Sequence, residues 1–89
     1  MSGFQTYLDN AERQTGITPR QFLALAHERR LNDAKANDVI TWLKTDYGLG
    51  HGHAANLAQL ITKGEEATTA KYGENGVLHL DGLAGRGES

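Results

Sequence analysis

With 89 residues the chain holds one domain at most; folding at this size buries only ~60% of the surface the unfolded chain exposes, so function is expected at grooves and turns rather than in a deep enclosed pocket. There is no cysteine, which excludes disulfides, thiolate metal sites and cysteine nucleophiles. The formal charge is -2, with seven Lys/Arg against six Asp/Glu over residues 1–63 and two against five over residues 64–89, so neither part carries the basic surface of a dedicated nucleic-acid binder.

The opening Met-Ser-Gly-Phe-Gln has neither a basic n-region nor an apolar run, so no signal peptide is expected. No stretch approaches the ~20 apolar residues of a membrane helix, and the chain reads as cytoplasmic and not membrane-bound. The first helix is expected from Ser2, where Gln5 completes a Ser-x-x-Gln capping box. Phe4, Tyr7, Leu8 and Ala11 then follow at helical period, and Gly16 is a stop. The second start is the clearest: Thr18 caps, Pro19 takes the first helical position and Gln21 closes the box. Ile17 is placed to staple against Phe22, Leu23, Leu25 and Ala26 complete the buried side, and Arg29 and Arg30 sit near the end.

The polar stretch Asn32–Asn37 separates this from a third helix, with Val39, Ile40, Leu43 and Tyr47 on its apolar face, Trp42 on its flank and Gly48 as its stop. A fourth begins between Gly50 and Gly52 and buries Ala54, Leu57, Ala58 and Ile61. After Lys63 the periodicity fails, and residues 64–89 hold six of the eleven glycines. The expected architecture is all-α: a bundle of about four short helices over residues 1–63, the last two joined by a glycine turn. Residues 64–89 are expected to form a flexible or weakly structured tail, with a short extended piece at 76–80.

Chemistry concentrates in Tyr47–Leu57, Tyr-Gly-Leu-Gly-His-Gly-His-Ala-Ala-Asn-Leu. This is similar to the helix-hairpin-helix pattern, in which glycines make a tight turn and the next helix presents its first N–H groups to a phosphate. Gly48 and Gly50 are read as the turn, Leu49 as its plug, and Ala54 as the point where the helices approach. Candidate ligand-binding residues are Gly48, Gly50, His51, Gly52, His53 and Lys44, with Arg29, Arg30 and Lys63 as further cations. The competing structural reading is a plain helical hairpin in which one histidine hydrogen-bonds across the turn. His51 and His53 do not have the spacing of three or four residues by which a helix pairs metal ligands, no acid is fixed nearby, and neither a metal site nor a cofactor is assigned. No nucleophile, base and acid fall together, so no catalytic residue is assigned and a non-enzyme is favoured.

The order Tyr7-Leu8, Thr15-Gly16, Thr18-Pro19-Arg20-Gln21-Phe22, Trp42-Leu43-Lys44 and Gly48-Leu49-Gly50-His51-Gly52-His53-Ala54 resembles a bacterial family known as domain of unknown function 4287. The glycine-histidine run resembles its hallmark, and the likeness covers about residues 3–62. Membership implies a compact helical domain and no established activity, ligand or catalytic residue. After Leu31 the chain departs from the family's more Lys- and Gly-rich pattern, so a shared basic surface is not implied.

The functional expectation is a non-enzymatic binding module whose recognition surface is the Gly48–His53 turn, with a protein or anionic ligand as partner. Helix-hairpin-helix-like, non-specific nucleic-acid binding is the first alternative. A histidine-based metal protein or small enzyme is the second.

Overall fold

The structure is a computed structural model that describes residues 3–73 and 77–82. Five α-helices follow in order: α1 Gly3–Thr15, α2 Pro19–Glu28, α3 Ala36–Tyr47, α4 His51–Lys63 and α5 Glu65–Tyr72, with one 3-10 turn at Leu31–Asp33 between α2 and α3. The class is all-α, as the periodicity implied, and no helix among the described residues is long and apolar enough to cross a membrane.

Local signals set most boundaries. At α2 the Thr18 side chain accepts from the Gln21 N–H while the Gln21 side chain accepts from the Thr18 N–H, and Pro19 follows the cap. Two helix N–H groups that would otherwise be unpaired are thereby satisfied. Gly16 follows α1 at φ 75° and Gly48 ends α3 at φ 67°, a left-handed turn that a side chain would strain. Arg30 adopts the same left-handed geometry, φ 58°, without being glycine. The α3 N-cap, Lys35, makes no side-chain capping bond, which is why this boundary is blurred in the sequence.

Helix α4 is the hub, in contact with α1, α2, α3 and α5. Ala54, Leu57, Ala58 and Ile61 form its expected stripe, and Leu60, also fully buried, widens it. Around it close Phe4, Leu8 and Ala11 of α1, Phe22 and Ala26 of α2, and Val39, Trp42 and Leu43 of α3. Trp42, read as a flank residue, is only 8% exposed. Its ring meets Tyr47 edge-on, and Tyr47 in turn meets Phe22 edge-on, so three aromatics brace the α2–α3 contact.

Residues after Lys63 depart from the tail reading. Gly64, at φ 93°, ends α4 and starts α5 in a single residue. Glu65 and Glu66 then occupy the first turn of α5, where the helix dipole favours negative charge. The helix is anchored by a polar residue: Thr68 is buried, its hydroxyl donating to the Gly64 carbonyl at 2.6 Å. Tyr72 stacks on Phe4 with centroids 4.4 Å apart and takes a hydrogen bond from Gln59.

Beyond α5, residues 77–82 lie against α1 and α2, with Leu78 and Leu80 buried in the common core. Among the described residues the expected helices of residues 1–63, the last two joined by the glycine turn, are present, and a further helix, α5, and a docked segment fall within the stretch read as a tail. Residues 74–76 and 83–89 of that expected tail, and the cap at Ser2, lie outside the described residues. Gln5, assigned to that cap, hydrogen-bonds Asp9 and both backbone groups of His79.

Candidate functional site

The link between α3 and α4 is three residues long, Gly48–Gly50. The two glycines do different things. Gly48 takes the left-handed conformation and donates its N–H to the Lys44 carbonyl. Gly50 has φ -68° and ψ 163°, ordinary extended backbone open to any residue, and a Cβ there would meet only His53 Nδ1 at 3.8 Å. The turn thus requires one glycine rather than two. Leu49 is the buried plug between them, as read.

Gly50 is the N-cap of α4 and supplies no side-chain capping bond. The first helical bond runs from the Ala54 N–H to the Gly50 carbonyl, so the N–H groups of His51, Gly52 and His53 have no partner within the helix. His51 and Gly52 are exposed residues and His53 is half-buried beside Tyr7. These N–H groups carry the positive end of the α4 dipole.

The histidines do not close the turn by hydrogen bonding. That work falls to α1, from which Gln14 Nε2 donates to the Gly48 carbonyl at 3.2 Å. His53 packs edge-on against Tyr7, centroids 5.1 Å apart. Tyr7 is 42% exposed, and its ring lies 3.4 Å from where a Cβ on Gly52 would stand. A Cβ on Gly52 would therefore rest in ordinary contact with that ring, which lies against the start of α4. Sequence reasoning placed Tyr7 on the α1 core stripe and gave Gln14 no role. Tyr7 does sit at the edge of that stripe; Gln14 carried no signal, because only the packing of α1 on α4 brings it to Gly48.

The structure separates the candidate cations. Lys44 is exposed on the last turn of α3, close in sequence to the glycine turn. Arg29 sits 5.9 Å over the Trp42 ring and 3.9 Å from an Asp46 carboxylate oxygen, an engaged rather than a free charge. Arg30 is exposed just past the end of α2, and Lys63 lies at the far end of α4 from the turn. His27 is exposed in the last turn of α2, and His79 belongs to the docked 77–82 segment. Among the described residues no three of His, Cys, Asp and Glu cluster as metal ligands do. Phe4 and Trp42 are buried, so together with Tyr7 they make no exposed apolar patch.

Residues 3–63 match the model of a family described as Domain of unknown function (DUF4287). The chain belongs to this family. The matched span runs from the start of α1 to the end of α4, so it holds the glycine turn and leaves out α5 and the docked segment. Searches among curated proteins and among solved structures returned no match.

Proposed function

We propose that this protein is a non-enzymatic binding module that takes an anionic group, carried by a protein or a small ligand, at the Gly48–His53 turn. The observation that carries the reading is the uncapped, exposed start of α4, with the N–H groups of His51, Gly52 and His53 directed outward from the helix end. The exposed His51 and the Tyr7–His53 pair flank these donors and give the surface aromatic and imidazole character. Lys44 is the basic residue of the last turn of α3.

The helix-hairpin-helix-like version, in which the anion is a nucleic-acid phosphate, draws on the same donors. Counterion release on a duplex scales with the number of cations at the phosphates. Here Arg29 lies beside Asp46 and over Trp42, Arg30 lies past the end of α2 and Lys63 is at the other end of α4, so the charge supports capture of a single anion better than tracking of a duplex.

The test compares the full chain with Gly50→Asp and with His51→Gln/His53→Gln, using inorganic phosphate at low salt as the probe and a short DNA duplex for the nucleic-acid version. Gly50→Asp fits the backbone and puts its own carboxylate on the open N–H groups. It is expected to weaken binding at least about tenfold while the helical signal is kept. Binding unchanged in Gly50→Asp would place the site elsewhere. Loss in the histidine variant with retention in Gly50→Asp would assign recognition to the imidazoles instead of the helix end.

A further inference from the structure

The segment Val77–Gly82 is held the way a bound peptide is held. Gln5, on the first turns of α1, uses its side-chain amide as a substitute strand edge: Nε2 donates to the His79 carbonyl at 3.0 Å and Oε1 accepts from the His79 N–H at 2.7 Å. One residue further on, the Arg20 N–H in the first turn of α2 donates to the Leu80 carbonyl at 3.0 Å. The Arg20 guanidinium reaches Asp81 with Nε and pairs with both carboxylate oxygens of Glu65, at 2.9 and 3.0 Å. These bonds hold the guanidinium's pKa above its ordinary value. Leu78 and Leu80 point inward and are buried, while His79 between them is exposed, the alternation of an extended chain on a surface.

Gln5 and Arg20 lie inside the family-matched span 3–63, whereas Glu65, which braces Arg20 from α5, and the docked segment itself lie outside it. We propose that the family domain carries a docking groove between the first turns of α1 and α2 for an extended segment of the form Leu-x-Leu-Asp, that residues 78–81 occupy it in cis, and that a protein segment of the same chemistry competes for it. Two apolar side chains two residues apart fill the core-facing pockets, Gln5 reads the backbone between them, and the fixed charge of Arg20 selects an acid in the next position. This groove is independent of the Gly48–His53 turn, since none of its polar contacts involves a residue of that turn.

The end of α5 offers a way to loosen the cis segment without replacing Gln5 or Arg20. Gly73 ends α5, and a Cβ there would stand 2.6 Å from the Thr69 carbonyl oxygen and 2.9 Å from that of Val77, both backbone atoms with no freedom to rotate away. Gly73→Ala therefore crowds both the end of α5 and Val77, while Gln5 on α1 and Arg20 on α2 are left unaltered. The experiment titrates a capped synthetic peptide covering residues 77–82 into the full chain and into Gly73→Ala, following the Gln5 side-chain amide and the Arg20 backbone amide by NMR. The expected result is binding at least about tenfold tighter to Gly73→Ala, with both reporters shifting toward the cis-bound positions. A peptide with Asp81→Lys should lose that binding, and Arg20→Gln in the Gly73→Ala chain should weaken binding of the unaltered peptide. Equal affinity for both chains, or no shift at Gln5 and Arg20 in a folded Gly73→Ala, would overturn the proposal. Should Gly73→Ala fail to fold, Asp81→Lys in the full chain removes one exposed cis contact and carries the same comparison, with the same two results deciding.

Discussion

Truncation of Leu80 separates a docked segment from a tail. Leu80 is 1% exposed and belongs to the same core as the helices, although it lies well past the last strongly periodic helix. Leu→Ala at a buried site costs about 2–5 kcal/mol, the spread reflecting how far the surroundings collapse into the space left. Leu80 is on a chain segment that can settle inward, so the lower part of that range, about 2–3 kcal/mol, is expected. A domain of this size has a total stability of roughly 4–13 kcal/mol, so the loss is a large fraction of it. At about 4–8 °C per kcal/mol for so small a domain, the midpoint of thermal unfolding should fall by about 8–24 °C. Urea unfolding followed by far-ultraviolet circular dichroism and by Trp42 fluorescence measures it, with coincidence of the two curves checking two-state behaviour. Val77→Ala, at a side chain 49% exposed in the same segment, is the control and should stay within about 0.5 kcal/mol. A Leu80→Ala midpoint as close to wild type as the control would refute the packing of residues 77–82 described above.

Other outcomes follow from the backbone and the surface charges. Gly48→Ala should cost about 1–2 kcal/mol, because alanine must enter the left-handed region at φ 67°. Gly50→Asp should hold or raise stability by up to about 1 kcal/mol, because it gives α4 the cap it lacks; urea midpoints compare the two directly. Arg30→Gly relieves the left-handed arginine at φ 58° and should raise the midpoint by up to about 1 kcal/mol of stability. Arg20→Gln should cost no more than about 1 kcal/mol per pair, since the partners are exposed, and the cost should shrink as salt rises. Arg20's own pKa is raised, so its contribution is complete below the unfolded value and fades only as pH rises through the folded one. Deprotonation of Arg20 therefore adds no pH dependence near neutrality, and a stability change there would have to come from other groups.

What could be read in the sequence was what short-range chemistry decides. Thr18-Pro19-Arg20-Gln21 specifies the α2 start by itself, and Gly48 with Leu49 specifies the end of α3 and the plug beneath it. The stripe Ala54, Leu57, Ala58, Ile61 located α4 but not its full buried width, because Leu60 lies off the stripe and is buried only by the packing of the other helices around α4. Helix α5 was missed because its anchor, Thr68, is polar, and because Tyr72 finds its partner Phe4 across the whole chain. The signal present was Gly64 followed by Glu65 and Glu66, an acidic helix start without an apolar stripe behind it. The site divides in the same way. Its glycines and histidines were visible as a run, whereas Tyr7, Gln14 and the pairing of Arg29 with Asp46 depend on contacts between helices. Gly50 shows the limit of reading glycine as conformational need, for its backbone is one that any residue adopts.

The most direct test of anion capture at the turn is an amide NMR titration of the full chain with inorganic phosphate at low salt, repeated with Gly50→Asp. The account predicts shifts concentrated at His51, Gly52 and His53, with smaller ones at Gly48 and Leu49, fading as salt rises and absent from Gly50→Asp. Shifts spread over exposed Lys and Arg positions with none at the start of α4, or a response unchanged in Gly50→Asp, would contradict it.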